Sequence, residues 1–494
     1  GEVTYETDRM RFIGRGNTLV DPDAMRVSGL SGTACSVLDP IAAIRNQITI
    51  DPKKSVTIII VTGVAETREA CLELVGKYQD KHLADRVFDL AWTHSQVLLR
   101  QINATEADAQ LFGRLAASVI YANASLRASP GGLMKNLRGQ SGLWGYSISG
   151  DLPIVLLQIE DLANLNLVRQ LVQAHAYWRL KGLAVDLVIW NEDHAGYRQL
   201  LHEQIMSLIA EGTEANVTDR PGGIFVRPSD QISKEDRILF QAVARVTISD
   251  RRGTLTDQFK QRNYSESMLP GPLATRNKRG DSPAIVVKPP QNLMFSNGLG
   301  GFTPDGREYV ISTSRGNVTP APWVNVLANK SFGTVVSENG LAYTWSENAH
   351  EFRLTPWHND PVSDSSGEAF YLRDEERGNF WSPMPLPSRG TTPYVTRHGF
   401  GYSVFEHTEH GISSEVWVYV ALDAAVKFTV MKIRNRSGRS RRLSVTGYVE
   451  WVLGDLRPKS VMHIVTEHNL PSSALFARNP YSTDFGSRTA FFNV

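Results

Sequence analysis

Four tryptophans stand in polar, turn-rich settings: Trp323, Trp345, Trp357 and Trp381 lie beside Pro, Asn, Ser and Asp. An aromatic face next to amides and carboxylates suits a sugar: the apolar C–H face of the ring stacks, and the hydroxyls need polar partners. Carboxylates are near at hand in Asp360, Asp364, Glu368 and Asp374. Cleaving a glycosidic bond needs an acid set against that bond, and nothing in the spacing of these four singles one out. They sit at turns, where Asp also serves the backbone. Seven of the twelve histidines lie between His350 and His468, without helical or Cys-rich metal-ligand spacing, so no metal site is expected.

Other catalytic signatures fail. Gly145-Tyr146-Ser147-Ile148-Ser149 has Ser where a nucleophile elbow needs its second Gly. Gly298-Leu299-Gly300-Gly301 lacks the third Gly and the strand-to-helix crossover of a dinucleotide fingerprint. No phosphate-binding loop, zinc-protease helix or calcium loop is present. No catalytic residue is therefore assigned.

The elements that must position the aromatics form a mixed, multidomain chain. With 494 residues the sequence exceeds one ordinary core. A hydrophobic share of 41% is that of a globular protein, and a net charge of +1 gives no bulk attraction for nucleic acid or anionic lipid. Cys35 and Cys71, the only cysteines, make no disulfide framework. Residues 1–66 read as a β-rich segment, with strands at Ala42–Ile50 and Val56–Val61, the second continuously apolar as if covered on both faces. Residues 67–182 read as a helical block, capped at Thr67 and carrying an apolar stripe through Leu111, Phe112, Leu115, Ala116, Val119 and Ile120; its last part starts near Ile154. Residues 183–250 alternate strand and helix as a small α/β unit. Residues 251–290 are basic and polar, a linker. Residues 291–494 carry short strands, among them Val416–Val420, Lys427–Ile433 and Leu443–Trp451, the last two alternating, the pattern of a large antiparallel β-sandwich. Trp417 and Trp451, inside strands, are expected in its core. Both ends of the sequence look cut, as in a piece of a longer protein.

Several segments also resemble a known family. Asn297-Gly298-Leu299-Gly300-Gly301-Phe302, Thr319-Pro320-Ala321-Pro322-Trp323-Val324-Asn325, Tyr343-Thr344-Trp345-Ser346-Glu347-Asn348, Leu354-Thr355-Pro356-Trp357-His358-Asn359-Asp360-Pro361-Val362 and Arg397-His398-Gly399-Phe400-Gly401-Tyr402-Ser403 resemble the N-terminal β-sandwich of inverting β-glycoside phosphorylases. Those include the cellobiose, chitobiose and 1,2-β-oligoglucan phosphorylases. In the first half, Arg11-Phe12-Ile13-Gly14-Arg15-Gly16, Leu38-Asp39-Pro40-Ile41, Ile148-Ser149-Gly150-Asp151-Leu152-Pro153-Ile154 and Val185-Asp186-Leu187-Val188-Ile189 look like bacterial cyclic β-1,2-glucan synthases.

The resemblance implies a segment of a very large inner-membrane protein, lying on the cytoplasmic side. Such a protein joins a UDP-glucose-dependent transferase with its Mg or Mn, a cyclising region and a phosphorylase-like region controlling chain length. It implies no cofactor in this segment, β-1,2-glucan and the other domains of the same chain as partners, no nucleic acid, and contact with the membrane only through the longer protein. The family's general acid sits in a following barrel and has no counterpart here. The carbohydrate-binding candidates are Trp323, Asn325, Trp345, Trp357, Asn359, Asp360, Arg397 and His398. The rival expectations are a truncated 1,2-β-oligoglucan phosphorylase and a structural scaffold without ligand.

Overall fold

In the computed structural model, residues 3–193, 198–212, 215–260 and 286–494 are described. They form two compact units: Gly1–Ile48, Met268–Asn479 and Ser487–Val494 make the first, and Thr49–Ser267 with Pro480–Gly486 the second.

The second unit is built on a four-stranded parallel sheet. Its strands are Ile154–Ile159, Asp186–Asn191, Ile224–Pro228 and Ala244–Ser249, arranged with the first two in the middle, the third outside the second and the fourth outside the first. That is the order of a doubly wound sheet. Apolar side chains fill both faces, as burial on two sides demands. Helices Glu106–Ile120, Leu165–Leu180 and Arg198–Glu211 cover one face, with Phe112, Leu115, Val168 and Leu171 fully buried. Trp178 ties two of these helices, its indole N–H donating to the Phe112 carbonyl at 2.9 Å. Helix Lys234–Val243 packs Leu239 and Phe240 on the other face.

The sequence reading needs correcting here in three places. Ile154–Ile159 was expected to open a helix and is a central strand. A short apolar run has no periodicity that separates strand from buried helix. Val56–Val61, expected as a strand covered on both faces, has no strand partner among the described residues and is exposed throughout. Apolar, β-branched composition favours a strand only where a ladder and a covering layer exist. Of the expected linker, the start holds a helix at Leu255–Lys260, and residues 261–285 lie outside the described part. The cap at Thr67 and the stripe from Leu111 to Val119 form as read, with Ile120 exposed.

The first unit is antiparallel throughout. A six-stranded sheet runs through Gly300–Phe302, Glu308–Thr313, Tyr394–Gly399, Tyr402–Glu409, Ile412–Val420 and Lys427–Asn435, adjacent in that order. A three-stranded sheet of Val324–Ala328, Phe332–Ser337 and Ala342–Ser346 faces it, and Leu327 and Val336 meet Phe405, Val416 and Val418 in the core between them. Further sheets join Glu368–Asp374 with Phe380–Trp381 and Leu443–Val449, and Val465–Asn469 with Ala474–Arg478 and Thr489–Phe492. Two tryptophans exchange their expected roles. Trp381 is buried, not on a loop, while Trp417 is half-buried and donates its indole N–H to Glu415. Trp451 is likewise only half-buried.

Among the described residues, the strand Val3–Asp8 pairs only with Pro40–Asn46. Its neighbourhood is fixed by charge. Arg9 forks onto Asp360 at 2.7 and 3.0 Å, and Arg15 reaches Glu338 and Asp364 at 3.1 and 3.4 Å.

Candidate functional site: an aromatic row on the three-stranded sheet

Side chains alternate across a strand, so the register decides which candidates can meet a ligand. In the three-stranded sheet Asn325, Leu327, Val336 and Thr344 point inward. Val324, Val326, Val335, Tyr343 and Trp345 point outward. Trp345 lies flat on Gly333: a Cβ there would come within 2.3 Å of its Cζ2. Glycine therefore makes the seat for the indole. Tyr343 follows at a ring-centroid distance of 5.3 Å, and Trp357 lies 4.6 Å beyond Tyr343. Trp357 is 40% exposed. The three rings make a row on an outward face also holding Val324 and Val326, which are 49% and 59% exposed.

The row ends in a groove of ≈ 190 Å³ lined by Trp357, Asn359 and Asp360 together with Pro322, Val324 and Ser337. Asn359 is exposed, on a backbone with φ of 47°, a left-handed turn that asparagine tolerates. Asp360 serves the scaffold. It accepts the Arg9 fork and the N–H groups of Val362 and Ser363, both at 3.0 Å. Burial works to raise its carboxyl, but Arg9 and these N–H donors outweigh burial and hold it at about 2.

That depression fixes a pH dependence. The folded value lies below the ordinary carboxylate value near 4, so the stabilisation is complete above about pH 4 and is lost as pH falls towards 2. Chemical denaturation of the wild type and Asp360→Asn across this range should differ by about 1–2 kcal/mol at neutral pH, allowing for partial exposure, and converge near pH 2. A constant gap would break the assignment.

The remaining candidates do not join the groove's lining. Asn325, pointing inward, donates to the carbonyls of Gly399 and Tyr402, both at 2.9 Å. His398 points inward from the facing sheet. Its Nε2–H donates to the Trp323 carbonyl at 3.1 Å, and Nδ1 accepts from Ser403 at 2.9 Å. Burial pushes its pKa down to about 4, so the ring is neutral at ordinary pH. Trp323 is half-buried, with its ring edge-on to Tyr309 at 5.9 Å. Arg397, next to His398 in sequence, projects to the other face of the six-stranded sheet. There it pairs with Glu308 at 3.2 Å and Glu406 at 3.5 Å and lies over Trp417 at 5.8 Å.

Each of the four carboxylates noted in the sequence is held by a cation. Asp360 has Arg9, Asp364 has Arg15, Glu368 has Lys427 and Asp374 has Arg441. For Asp360, Glu368 and Asp374 these partners hold the carboxyl below its usual range, which opposes the proton donation that a general acid needs. Among the described residues no group of three or more His, Cys, Asp or Glu could hold a metal ion. In the parallel sheet, the crevice between the carboxyl ends of Ile154–Ile159 and Ala244–Ser249 is where open α/β sheets take ligands. Here internal bonds bridge the two strand ends: Asp250 accepts the N–H groups of Glu160 and Asp161 at 2.9 and 3.0 Å, and Arg251 pairs with Glu160 at 2.5 Å. The residue that sequence reasoning missed is Tyr343, which joins Trp345 to Trp357. Its i, i+2 spacing from Trp345 on an alternating strand is the signal that could have found it.

Stacked antiparallel sheets make this unit a β-sandwich, and the chain belongs to the family described as glycosyl hydrolase 94, supersandwich domain. That family's model matches residues 1–81 and 307–494, more than half of the sequence. Over 99% of its length the chain is 35% identical to the cyclic beta-(1,2)-glucan synthase NdvB of Rhizobium meliloti (strain 1021), covering 18% of that protein. It is 33% identical to the N,N'-diacetylchitobiose phosphorylase of Vibrio furnissii over 36% of this chain and 21% of the relative. It is 30% identical to the solabiose phosphorylase of Paenibacillus borealis over 32% of this chain and 20% of the relative. The chain thus spans about a fifth of each of these relatives. Among the described residues no helix is long and apolar enough to cross a membrane.

Proposed function

We propose that this chain is a non-catalytic, glucan-binding segment of a cyclic β-1,2-glucan synthase, and that its ligand is a linear β-1,2-glucan. The reading is carried by the aromatic row Trp345, Tyr343 and Trp357, spaced 5.3 and 4.6 Å, with Trp357 exposed and the other two rings half-buried on the outward face. Successive rings on a flat sheet give a flexible uncharged chain several stacking faces, and the groove beside Trp357 gives one ring a pocket with Asn359 at its rim. Similarity to the Rhizobium synthase over 99% of the chain supports the same reading. On this reading UDP-glucose and its Mg or Mn belong to a transferase region elsewhere in the longer protein. That protein anchors in a bacterial inner membrane, with this segment on the cytoplasmic side.

Titration calorimetry with linear β-1,2-glucan should show weak binding. Trp345→Ala and Trp357→Ala should each lower the affinity about three- to tenfold, the loss of one stacking partner worth about 0.5–1.5 kcal/mol. No heat with the wild type would sink the proposal. A second reading has its own observation. The exposure of Val324 and Val326 beside the rings also suits a face that docks another domain of the same protein. Substituting both tryptophans in the longer protein discriminates: altered glucan length or cyclisation with intact assembly supports glucan binding, and failed assembly supports docking.

A further inference from the structure

A larger cavity, of ≈ 660 Å³, opens elsewhere in the first unit. It lies among three strands, Lys427–Asn435, Leu443–Val449 and Thr489–Phe492. Each of the three is the last strand of its own sheet. One side of each backbone therefore has no ladder partner among the described residues. The walls are apolar, with Met431, Ile433, Val445, Val449, Phe370 and Phe491 facing in.

The charged pair within is already satisfied. The Lys427 ammonium donates to Glu368 and, at 2.7 Å, to Thr344. Glu368 also accepts the hydroxyls of Thr344 and Thr355 at 2.6 and 2.7 Å. Among the described residues, no buried side-chain atom without a hydrogen-bond partner belongs to a residue lining this cavity. The main chain offers unpaired edge N–H and C=O groups beside an apolar trough, an arrangement that folded proteins cover. The nine-residue strand Lys427–Asn435 offers an edge about 30 Å long.

We infer that this groove receives an extended β-strand from another stretch of the same, longer polypeptide. The strand pairs with the edge of Lys427–Asn435 and places apolar side chains from alternate positions into the trough. Strand addition fits both unmet features at once: backbone pairing satisfies the edge, and period-two side chains fill the cavity. The source follows from length. The Rhizobium relative matches 99% of this chain with only 18% of its own sequence, so abundant polypeptide is available in cis. A tethered strand acts at a millimolar effective concentration, which a second copy in dilute solution does not match.

The test is hydrogen exchange by mass spectrometry on the 494-residue chain and on the full-length natural polypeptide containing it. Peptides covering Lys427–Asn435 should exchange about tenfold or more slowly in the longer polypeptide. In parallel, an Ile433→Cys thiol should react with maleimide in the 494-residue chain and be protected in the longer one. Equal exchange and equal labelling in both would overturn the inference. Protection in the 494-residue chain that grows with concentration, at a dimer's mass, would overturn it in favour of a second copy. Protection removed by detergent extraction would overturn it in favour of a bound lipid.

Discussion

Arg15→Ala should destabilise the antiparallel unit by about 3–5 kcal/mol, the usual cost of removing one partner from a buried ion pair. The Arg15 side chain is 7% exposed, and the Glu338 carboxylate it faces is fully buried. Glu338 also accepts from the Trp323 N–H at 2.8 Å, from Asn339 at 3.2 Å and from Thr319. Those neutral donors supply hydrogen bonds but no compensating charge. Asp364 shares both Arg15 and Asn339, so the variant would leave two carboxylates close together. Burial already pushes the Glu338 carboxyl upward. Without Arg15 it should rise further, and the destabilisation should therefore shrink in acid, where the carboxyl takes a proton. Denaturant titrations at neutral and acidic pH read both effects. Pairing Arg15→Met with Glu338→Gln should recover most of the loss, because the uncompensated charge is then gone. A single variant within about 0.5 kcal/mol of wild type would show that the cluster is not a buried ion network.

Phe240→Ala should cost the parallel-sheet unit about 3–5 kcal/mol. Phe240 is fully buried on the helix Lys234–Val243. Its ring meets Tyr146 edge-on at 5.3 Å and Trp190 at 5.6 Å. The substitution removes the buried area, leaves a cavity and deletes two aromatic pairs. The Trp190 indole N–H has no hydrogen-bond partner among the described residues. A water entering the new space could take that N–H and recover part of the loss, so Phe240→Leu, which keeps the site dry, is the cleaner comparison and should cost less. Hydrogen exchange in Asp186–Asn191 and Ala244–Ser249 localises the effect. Unchanged protection there would remove Phe240 from the core of this sheet.

Much of the fold was legible because periodicity is local. The alternating runs at Lys427–Ile433 and Leu443–Trp451 become strands Lys427–Asn435 and Leu443–Val449, and the stripe from Leu111 to Val119 becomes a helix. The candidate site was legible in one stretch: Trp357, Asn359 and Asp360, close in sequence, share a groove. It was not legible where strand parity mattered. Neighbours in a strand point opposite ways, so Arg397 and His398 had to part. Which of them faces the core depends on the sheet packed opposite.

The sequence by itself determined the family, the mixed class with its β-sandwich, and an aromatic-rich segment, because these rest on residue type and short-range spacing. Tertiary structure alone decided between two similar apolar runs, placing Ile154–Ile159 at the centre of a parallel sheet and leaving Val56–Val61 exposed. It also decided that the carboxylates noted in the sequence serve as partners of buried or half-buried cations. Asp360 is held by Arg9 from 351 positions away, and Glu338, which the sequence did not single out, by Arg15 from 323 away. The reason is the same in each case: strand ladders, covering layers and counter-charges come from residues far apart in the chain, and only folding brings them within reach.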